Sequence, residues 1–262
     1  MLLSIEGEEK TGKTTLAYTA PLPIVGFSFD LGSNRAINGI KYGDYFKELK
    51  IQIVKNGDEV EPGNDITIYE LPQPIQLVSD RILGCIELWD KFIGLLGAAL
   101  TSSPARTVVI DTMTLTRRLK CEAYLQELQV KGVRKQLTQI EYGHPNDAIR
   151  NIYNVFQSVG KNLVAVHHET DEYKDIINSA GNKESVTTGN KVLEGYNRTY
   201  QAVDIAVRTK KDKGQISAGI KVCGYDPGLE GTSITNPTWD KLVNLIDIGL
   251  EGRIKLDRRQ EV

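Results

Sequence analysis

The stretch that most constrains this chain is a phosphate-binding loop pattern close to its first residue. Residues 7–14 read Gly-Glu-Glu-Lys-Thr-Gly-Lys-Thr and fit the spacing G-x-x-x-x-G-K-[ST]. Residues 1–6 are mostly apolar and predict a strand, and residues 15–19 predict the start of a helix. A surface turn that matches by chance is the alternative, but the pattern requires a strand before it and a helix after it, and both are present. The sequence therefore predicts a nucleotide site.

Each part of this loop has a predicted role in holding ATP and Mg²⁺. The predicted nucleotide contacts are Gly7, Glu8, Glu9, Lys10, Thr11, Gly12, Lys13, Thr14 and Thr15. The two glycines permit backbone angles that turn successive N–H groups toward phosphate oxygens, and the helix N-terminus adds partial positive charge. Lys13 is predicted to reach the β- and γ-phosphates and to act in catalysis, and the Thr14 hydroxyl is predicted to ligate Mg²⁺.

A second motif is an apolar run that ends in a carboxylate. Residues 107–110 read Thr-Val-Val-Ile and are followed by Asp111, which is typical of a central parallel strand buried on both faces. The carboxyl ends of such strands form the edge where open α/β sheets bind ligands. Asp111 is therefore predicted to be a catalytic residue and the second Mg²⁺ determinant, acting through water or through Thr14. An Asp that caps the next helix is the alternative.

The remaining chain alternates predicted strands and helices. Strands are predicted at 24–29, 162–166, 202–208 and 215–223, and helices at 115–129, 146–159 and 239–246. Residues 43–71 predict an inserted hairpin around Asn56 and Gly57, and a long helix is predicted from Pro74 to Ile93, with Trp89 on its buried face. The predicted fold is α/β, a mostly parallel sheet flanked by helices, with antiparallel strands toward the C-terminal end. A single domain is predicted over residues 1–250, followed by a net basic tail at 251–262.

The amino-acid composition limits which partners and which cellular location are expected for this protein. The 262 residues are 40% hydrophobic and carry a formal net charge of −2, which suits one large core and provides no global positive field for nucleic acid or membrane. Three widely spaced cysteines form no C-x-x-C pair, as expected in a reducing cytosol. The chain enters its first strand directly, which predicts no signal peptide, and its apolar runs are too short to span a membrane. We expect a cytoplasmic protein without a membrane partner.

Together these motifs resemble the core of the RecA/RadA recombinases. The resemblance is carried by the phosphate loop with Glu9 at its third position, by the strand that ends in Asp111, and by the strand that ends at His168. Residues 187–208 contain a Thr-Gly-Asn turn, a helix-like stretch at 191–200 and a strand; they are similar to the RecA element that closes the second DNA-binding loop and returns into the sheet. More narrowly, the chain is similar to the short RecA-like ATPases of bacteriophages that act in single-strand annealing and recombination.

The resemblance spans residues 1–246 and implies an ATPase that binds single-stranded DNA. His168 falls where the family keeps a polar residue that senses the γ-phosphate, although a His that ends a strand can also be a polar cap. The implied DNA loops are 131–145 and 169–188. The candidate DNA contacts are Lys131, Arg134, Lys135, Gly189 and Asn190. The implied partners are single-stranded DNA, further copies of the chain in a ring or filament, and a single-strand-binding protein; a phage-encoded chain would act in the host cytoplasm.

Two departures from the family pattern bear on catalysis and assembly. Gly32 occupies the position of the family's catalytic carboxylate, so Asp30 is predicted to stand in as the base, or hydrolysis to be slow; Gly32→Glu is predicted to raise the rate. The chain also begins at the first core strand, without the leading segment that joins neighbours in RecA filaments, which leaves the mode of association open. Three alternatives remain. One is a P-loop motor with Arg198 or Arg208 as its arginine finger, and another is a nucleotide-gated switch without DNA binding. The third is a small-molecule phosphotransferase, but residues 169–188 contain no arginine, which counts against it.

Overall fold

The computed structural model describes residues 1–39, 43–77, 81–130, 136–177 and 182–259. Its strands are β1 (Leu2–Gly7), β2 (Ile24–Ser28), β3 (Ile51–Val54), β4 (Ile66–Glu70), β5 (Thr107–Asp111), β6 (Asn162–Val166), β7 (Glu169–Ile177), β8 (Lys183–Leu193), β9 (Ile205–Asp212), β10 (Gln215–Cys223) and β11 (Ser233–Thr235). Its helices are α1 (Lys13–Ala17), α2 (Ser33–Ile37), α3 (Gly43–Phe46), α4 (Cys85–Thr101), α5 (Met113–Val130), α6 (Gly143–Val159), α7 (Thr199–Ala202) and α8 (Trp239–Leu250).

A mixed sheet forms the centre of the molecule. Its strand order within the described residues is β11-β10-β9-β1-β6-β5-β2-β4-β3. The strands from β9 to β3 run parallel to their neighbours, whereas β10 and β11 are antiparallel at the other edge. Strands β5 and β6 are buried at every position, as their continuous apolar sequences predict. The predicted fold class, a mostly parallel sheet with antiparallel strands toward the C-terminal end, is confirmed.

Helices cover both faces of this sheet and bury its apolar side chains. On one face, Trp89 and Phe92 of α4 join a core shared with α5 and α6, and Phe92 meets Phe27 edge to face at 5.2 Å between ring centroids. On the other face, Leu16 of α1 and the fully buried Trp239 of α8 pack against the sheet. The prediction that Trp89 belongs to the core is confirmed. No helix in the described ranges is both long and apolar enough to cross a membrane.

The register of the central strands brings their carboxyl ends together. Ile5 of β1 lies opposite Val166 of β6, and Val166 lies opposite Asp111 of β5. Because parallel strands end at the same edge of the sheet, the loop that follows β1 and the acid that ends β5 lie at one edge with a single strand between them. This edge positions the candidate site.

The hairpin predicted for residues 43–71 is wrong. Strands β3 and β4 pair in parallel, with Ile51 opposite Ile66, and β4 also pairs with β2, so both strands extend the central sheet. Asn56 and Gly57 do form a turn. The eleven-residue loop 55–65, however, is long enough to carry the chain back to the starting edge, and the Gln52 side chain closes this loop through Glu59 and Glu61. A two-residue turn signal fixes only the local bend and does not set the direction of the next strand.

The long helix predicted from residue 74 begins later, at Cys85. Residues 72–77 and 81–84 are not helical, and Val78 lies outside the described residues. The Gln76 side chain exchanges two hydrogen bonds with the backbone of Leu83, each 3.0 Å long, which closes this segment as a loop. Gln126 of α5 then accepts the Cys85 amide at 2.9 Å and caps the start of α4. The apolar spacing upstream of Cys85 therefore matches a helix without forming one.

The segment predicted as a DNA loop at 169–188 is instead a two-stranded antiparallel ribbon. We call β7–β8 the ribbon; Glu169 pairs with Leu193 at its base and Ile177 with Lys183 near its tip. The ribbon is exposed on both faces, with Tyr173 62% exposed. Its sequence therefore lacks the apolar alternation by which strands are recognised. The helix predicted at 191–200 is also wrong, because β8 continues to Leu193 and the helix α7 starts only at Thr199.

Candidate nucleotide site

The phosphate loop is wound around the Lys13 side chain. The Lys13 ammonium donates hydrogen bonds to the carbonyl oxygens of Gly7 at 2.7 Å and Glu8 at 2.6 Å. Lys13 is buried, and this burial lowers the pKa of its ammonium, while the Asp111 carboxylate acts in the opposite direction. A cation held inside a loop of backbone N–H groups is in place to bind phosphate oxygens.

Two positions of the loop require glycine. Gly7 and Gly12 adopt φ angles of 152° and 84°, which side chains rarely tolerate. A Cβ at Gly7 would lie 2.5 Å from Oγ1 and 2.6 Å from the carbonyl oxygen of Thr209, and a Cβ at Gly12 would lie 2.9 Å from the Ile216 side chain. Strands β9 and β10 therefore support the loop so closely that no side chain fits at either position.

Thr209 of β9 is a supporting residue that the sequence did not reveal. Its backbone pairs with Gly7, and its hydroxyl lies 2.7 Å from the Thr11 hydroxyl. Thr11 in turn donates to the Glu8 carbonyl oxygen at 2.8 Å. These contacts hold the middle of the loop against β9, so the shape of the loop depends on a strand about 200 residues later in the chain.

Asp111 lies at the carboxyl end of β5 and is fully buried. Burial raises the pKa of this carboxyl group to about 7, and the Asp30 carboxylate adds to the rise, while the Thr14 hydroxyl and the Lys13 ammonium lower it. Neither carboxylate oxygen of Asp111 has a hydrogen bond of ordinary length and angle within the described residues. A buried carboxylate beside a threonine hydroxyl fits a Mg²⁺ ion because oxygen atoms are its preferred ligands.

Asp30 lies next to Gly32, the position at which the RecA/RadA resemblance predicts a carboxylate. Asp30 follows β2, whose last residue, Ser28, pairs with Asp111. Its Oδ1 atom accepts the Gly32 amide at 2.9 Å, and a Cβ at Gly32 would lie 3.2 Å from both Asp30 oxygens. The Asp30 charge also acts on both Lys13 and Asp111. The structure therefore brings Asp30 to the phosphate loop.

The two histidines that follow β6 lie in different surroundings. His168 is half-buried and donates its backbone N–H to Thr114 Oγ1 at 3.0 Å; burial and the nearby Lys13 cation lower the pKa of its ring, so the ring is neutral at neutral pH. His167 is fully buried, its Nε2 lies 3.4 Å from the Tyr153 hydroxyl, and burial lowers its pKa to about 3. His168 thus lies beside the phosphate loop, whereas His167 belongs to the core.

Two of the five candidate DNA contacts fall within the described residues. Gly189 and Asn190 lie on the ribbon, where Asn190 donates to Glu172 at 3.1 Å. The other three, Lys131, Arg134 and Lys135, lie outside the described residues. Of the two candidate arginine fingers, Arg198 is exposed, whereas Arg208 is occupied by contacts within its own chain.

Those contacts belong to a buried charge cluster that the sequence reasoning missed. Glu6, the residue before Gly7, is fully buried. Its carboxylate lies 2.9 Å from Lys221 Nζ and 3.2 Å from Arg208 Nε, and it accepts a hydrogen bond from the Tyr200 hydroxyl. Arg208 also pairs with Glu169 at the base of the ribbon. The available signal was a glutamate in an otherwise apolar strand, since a buried charge requires partners.

Comparisons with known proteins give one family match and similar solved structures. A family model, AAA_24, described as an AAA domain, matches residues 2–219. Among solved structures, the RadB recombinase is similar at a TM-score of 0.44 and 10% identity, over 89% of this chain and 85% of that chain. A KaiC-like protein from Pyrococcus horikoshii is similar at a TM-score of 0.40 and 12% identity, over 89% and 84% of the two chains. No curated protein matches by sequence.

Proposed function

The chain belongs to the AAA_24 family of AAA domains and is a P-loop ATPase; from this premise we propose that it couples ATP binding to the binding of single-stranded DNA in recombination or annealing. The observation that supports this coupling is a single chain connection. His168 lies beside the phosphate loop, and the next residue, Glu169, begins the ribbon. A movement of His168 in response to the nucleotide would therefore pass along the backbone directly to the exposed ribbon.

Each residue of the site has a separate proposed role in ATP hydrolysis. Lys13 and the loop N–H groups bind the β- and γ-phosphates, and Thr14 with Asp111 would hold Mg²⁺. When bound, Mg²⁺ neutralises charge on the phosphates. Asp30 orients and polarises the attacking water. Because Asp30 is exposed and its Oδ1 already accepts the Gly32 amide, we expect it to orient the attacking water poorly and turnover to be slow.

The DNA surface that we propose combines the ribbon with the neighbouring turn between β9 and β10. From Glu169 to Leu193 the chain carries five carboxylates and three lysines, so the ribbon itself repels phosphates. Exposed lysines flank and occupy this turn, namely Lys210 and Lys211 at the end of β9 and Lys213 in the turn itself. Since Thr209 packs on Gly7, these lysines extend past the phosphate loop. They would bind DNA phosphates, while exposed Tyr173 offers a ring for base stacking.

The acidic ribbon also favours a second candidate, a nucleotide-gated switch that binds no DNA. Its five carboxylates suit a basic protein surface better than a phosphate backbone. In both candidates the ribbon is the surface that ATP controls. We further propose assembly of several copies into a ring or filament, which analytical ultracentrifugation with and without ATP would measure.

A binding titration separates the two candidates. Labelled single-stranded DNA is titrated with the protein at low salt, with Mg²⁺ and a non-hydrolysable ATP analogue, with ADP, and without nucleotide, and fluorescence anisotropy is measured. We expect tighter binding with the analogue, by about 10-fold, and a loss of affinity as salt rises. Replacing Lys210, Lys211 and Lys213 by Ala should weaken binding, whereas the control Lys55→Ala, in a distant exposed loop, should not. Absence of DNA binding in every nucleotide state would favour the switch.

A further inference from the structure

We propose that Arg208 is a positioning residue that ties the base of the ribbon to the strand carrying the phosphate loop, so that the ribbon is ordered by nucleotide. This inference concerns the ribbon itself and holds whether its partner is DNA or protein. It assigns Arg208 a role within its own subunit, whereas the motor alternative made Arg208 one of two candidates for an arginine finger.

Arg208 contacts three elements at once. Its backbone pairs with Glu6 across β9 and β1, and its Nε atom lies 3.2 Å from the Glu6 carboxylate. The same guanidinium pairs with Glu169, the first residue of β7. Its Nη2 donates to the carbonyl oxygen of Lys191 on β8 at 2.6 Å. One side chain thus holds both strands of the ribbon at their base.

Glu6 and Glu169 both pair with Arg208, but they depend on it to different extents. Glu6 is fully buried and has two further partners, Lys221 and Tyr200, so its charge stays compensated on the body of the protein. Glu169 has Arg208 as its ion-pair partner. With only 21% of the Arg208 side chain exposed, the pair is partly shielded from water and is stronger than a surface pair. The ion pair between Glu169 and Arg208 is therefore the contact between the ribbon and the central sheet that a substitution can remove.

Other polar contacts in the ribbon stiffen it without tying it to the body. Ser185 donates to Asp175 at 2.5 Å across the two strands. Asn190 donates to Glu172 at 3.1 Å, also across the strands. The ribbon can therefore move as a unit about its base, and the orientation of that unit depends on the contacts of Arg208.

The base of the ribbon also lies within electrostatic reach of the phosphate loop. The Lys191 ammonium pairs with Asp171 at 2.8 Å, and its pKa is raised first by Asp171 and further by the Glu8 carboxylate of the loop. Phosphates bound in the loop would add negative charge near the ribbon base, which attracts the Lys191 ammonium and repels the carboxylates of Asp171 and Glu169. Arg208 holds the base close enough for this change in charge to act on it, because Coulomb energy falls with distance and is screened by salt.

Hydrogen exchange of the ribbon amides tests this role without any DNA. Wild type and Glu169→Gln are compared, each with and without Mg²⁺ and a non-hydrolysable ATP analogue, by mass spectrometry. In wild type we expect the analogue to slow exchange at 169–177 and 183–193 by about 10-fold. In Glu169→Gln this slowing should fall below about twofold, while calorimetry gives analogue affinity within about threefold of wild type. Glu184→Gln, an exposed ribbon carboxylate, is the matched control and should respond like wild type.

A second variant keeps the test decisive if Glu169→Gln is ambiguous. Arg208→Lys retains a cation for Glu6 but lacks the forked guanidinium that reaches both strands, so it should fold, bind the analogue and lose the ribbon response. The proposal is overturned if Glu169→Gln responds like wild type, or if the wild-type ribbon does not respond to nucleotide. It is also overturned if Glu169→Gln loses analogue binding together with the response, because the contact would then shape the phosphate loop itself.

Discussion

Lys13 and Gly7 lie at opposite ends of the phosphate loop, and the Lys13 ammonium donates a hydrogen bond to the Gly7 carbonyl oxygen 2.7 Å away. The loop is therefore closed around its own cation. A phosphate that enters finds the charge in place and needs little reordering of the chain, which is the benefit of a preorganised site. Gly7 cannot carry a side chain because Thr209 lies directly against it.

The first prediction concerns this cation. Lys13→Ala should lower the affinity for Mg²⁺-ATP by at least about 100-fold, because the phosphates lose a buried charge-assisted donor. Isothermal titration calorimetry measures the change. Lys55→Ala is the control, since Lys55 is an exposed lysine in a loop outside the site, and the affinity of this variant should stay within about threefold of wild type. Unchanged ATP turnover in Lys13→Ala would refute the nucleotide site.

The second prediction is a pH dependence caused by Asp111. Burial raises the pKa of Asp111 to about 7 from 3.8, so the folded protein without metal or nucleotide holds a proton that the unfolded chain releases. A raised folded-state pKa gives a stabilisation that is complete below 3.8 and is lost as pH rises through about 7. His167, whose pKa is lowered from 6.5 to about 3, contributes the opposite slope, so the test is the difference between wild type and Asp111→Asn. Measured by differential scanning fluorimetry from about pH 5 to about pH 8, the melting temperature of wild type should fall relative to that of Asp111→Asn as pH rises.

The control and the metal dependence follow from the same argument. Asp58→Asn, in an exposed loop, should keep the wild-type slope. Mg²⁺ with nucleotide requires the deprotonated carboxylate, so its stabilisation should be larger at about pH 8 than at about pH 6 and should vanish when EDTA is added. Identical slopes for wild type and Asp111→Asn would show that Asp111 does not titrate in this range.

The parts of the fold that were predictable share one physical property. Strand β6 was predicted at 162–166 and spans Asn162–Val166. Strand β5 was predicted as an apolar run ending at Asp111 and ends there. Both are buried on both faces, so their sequences are continuously apolar and stop where polar chemistry begins. The phosphate loop was recognisable because its backbone shape requires Gly7 and Gly12 at a fixed spacing.

The parts that were not predictable depend on contacts between distant residues. The ribbon is solvated on both faces, so neither Tyr173 nor its neighbours show a strand period. The parallel pairing of β3 and β4 is set by the central sheet and not by the local turn. The link between Glu6 and Arg208 joins residues about 200 positions apart, and no local pattern reports such a pair.

The third prediction assigns the catalytic base. Asp30→Asn should lower kcat for ATP hydrolysis by about 10- to 100-fold with little change in KM, because the side chain acts on water and not on ATP binding. Phosphate release measures the rate. Glu48→Gln, an exposed acid outside the phosphate loop, is the control for loss of a negative charge. An unchanged rate in Asp30→Asn would mean that another group is the base.

The closeness of Gly32 to Asp30 provides a second test of Asp30 as the catalytic base. A side chain there would lie 3.2 Å from both Asp30 oxygens, so Gly32→Glu alone brings two carboxylates into the same space, and we now expect little gain from it. In the Asp30→Asn background the repulsion is absent, and Gly32→Glu should restore part of the lost turnover. Failure of this rescue would argue against a carboxylate base at this edge of the sheet.

The last prediction concerns how ATP reaches the ribbon. His168 lies between the phosphate loop and Glu169, and its lowered pKa keeps the ring neutral at neutral pH, so it can donate one N–H to the γ-phosphate. His168→Ala should leave ATP affinity within about threefold of wild type but remove the ATP-dependent gain in single-stranded DNA affinity. His168→Gln keeps a donor and should retain part of the gain, and the control Lys55→Ala, in an exposed loop outside both implied DNA loops, should retain all of it. If His168→Ala still binds DNA more tightly with ATP than with ADP, His168 is a polar cap of β6, and the contact of Arg208 with Glu169 is the remaining route.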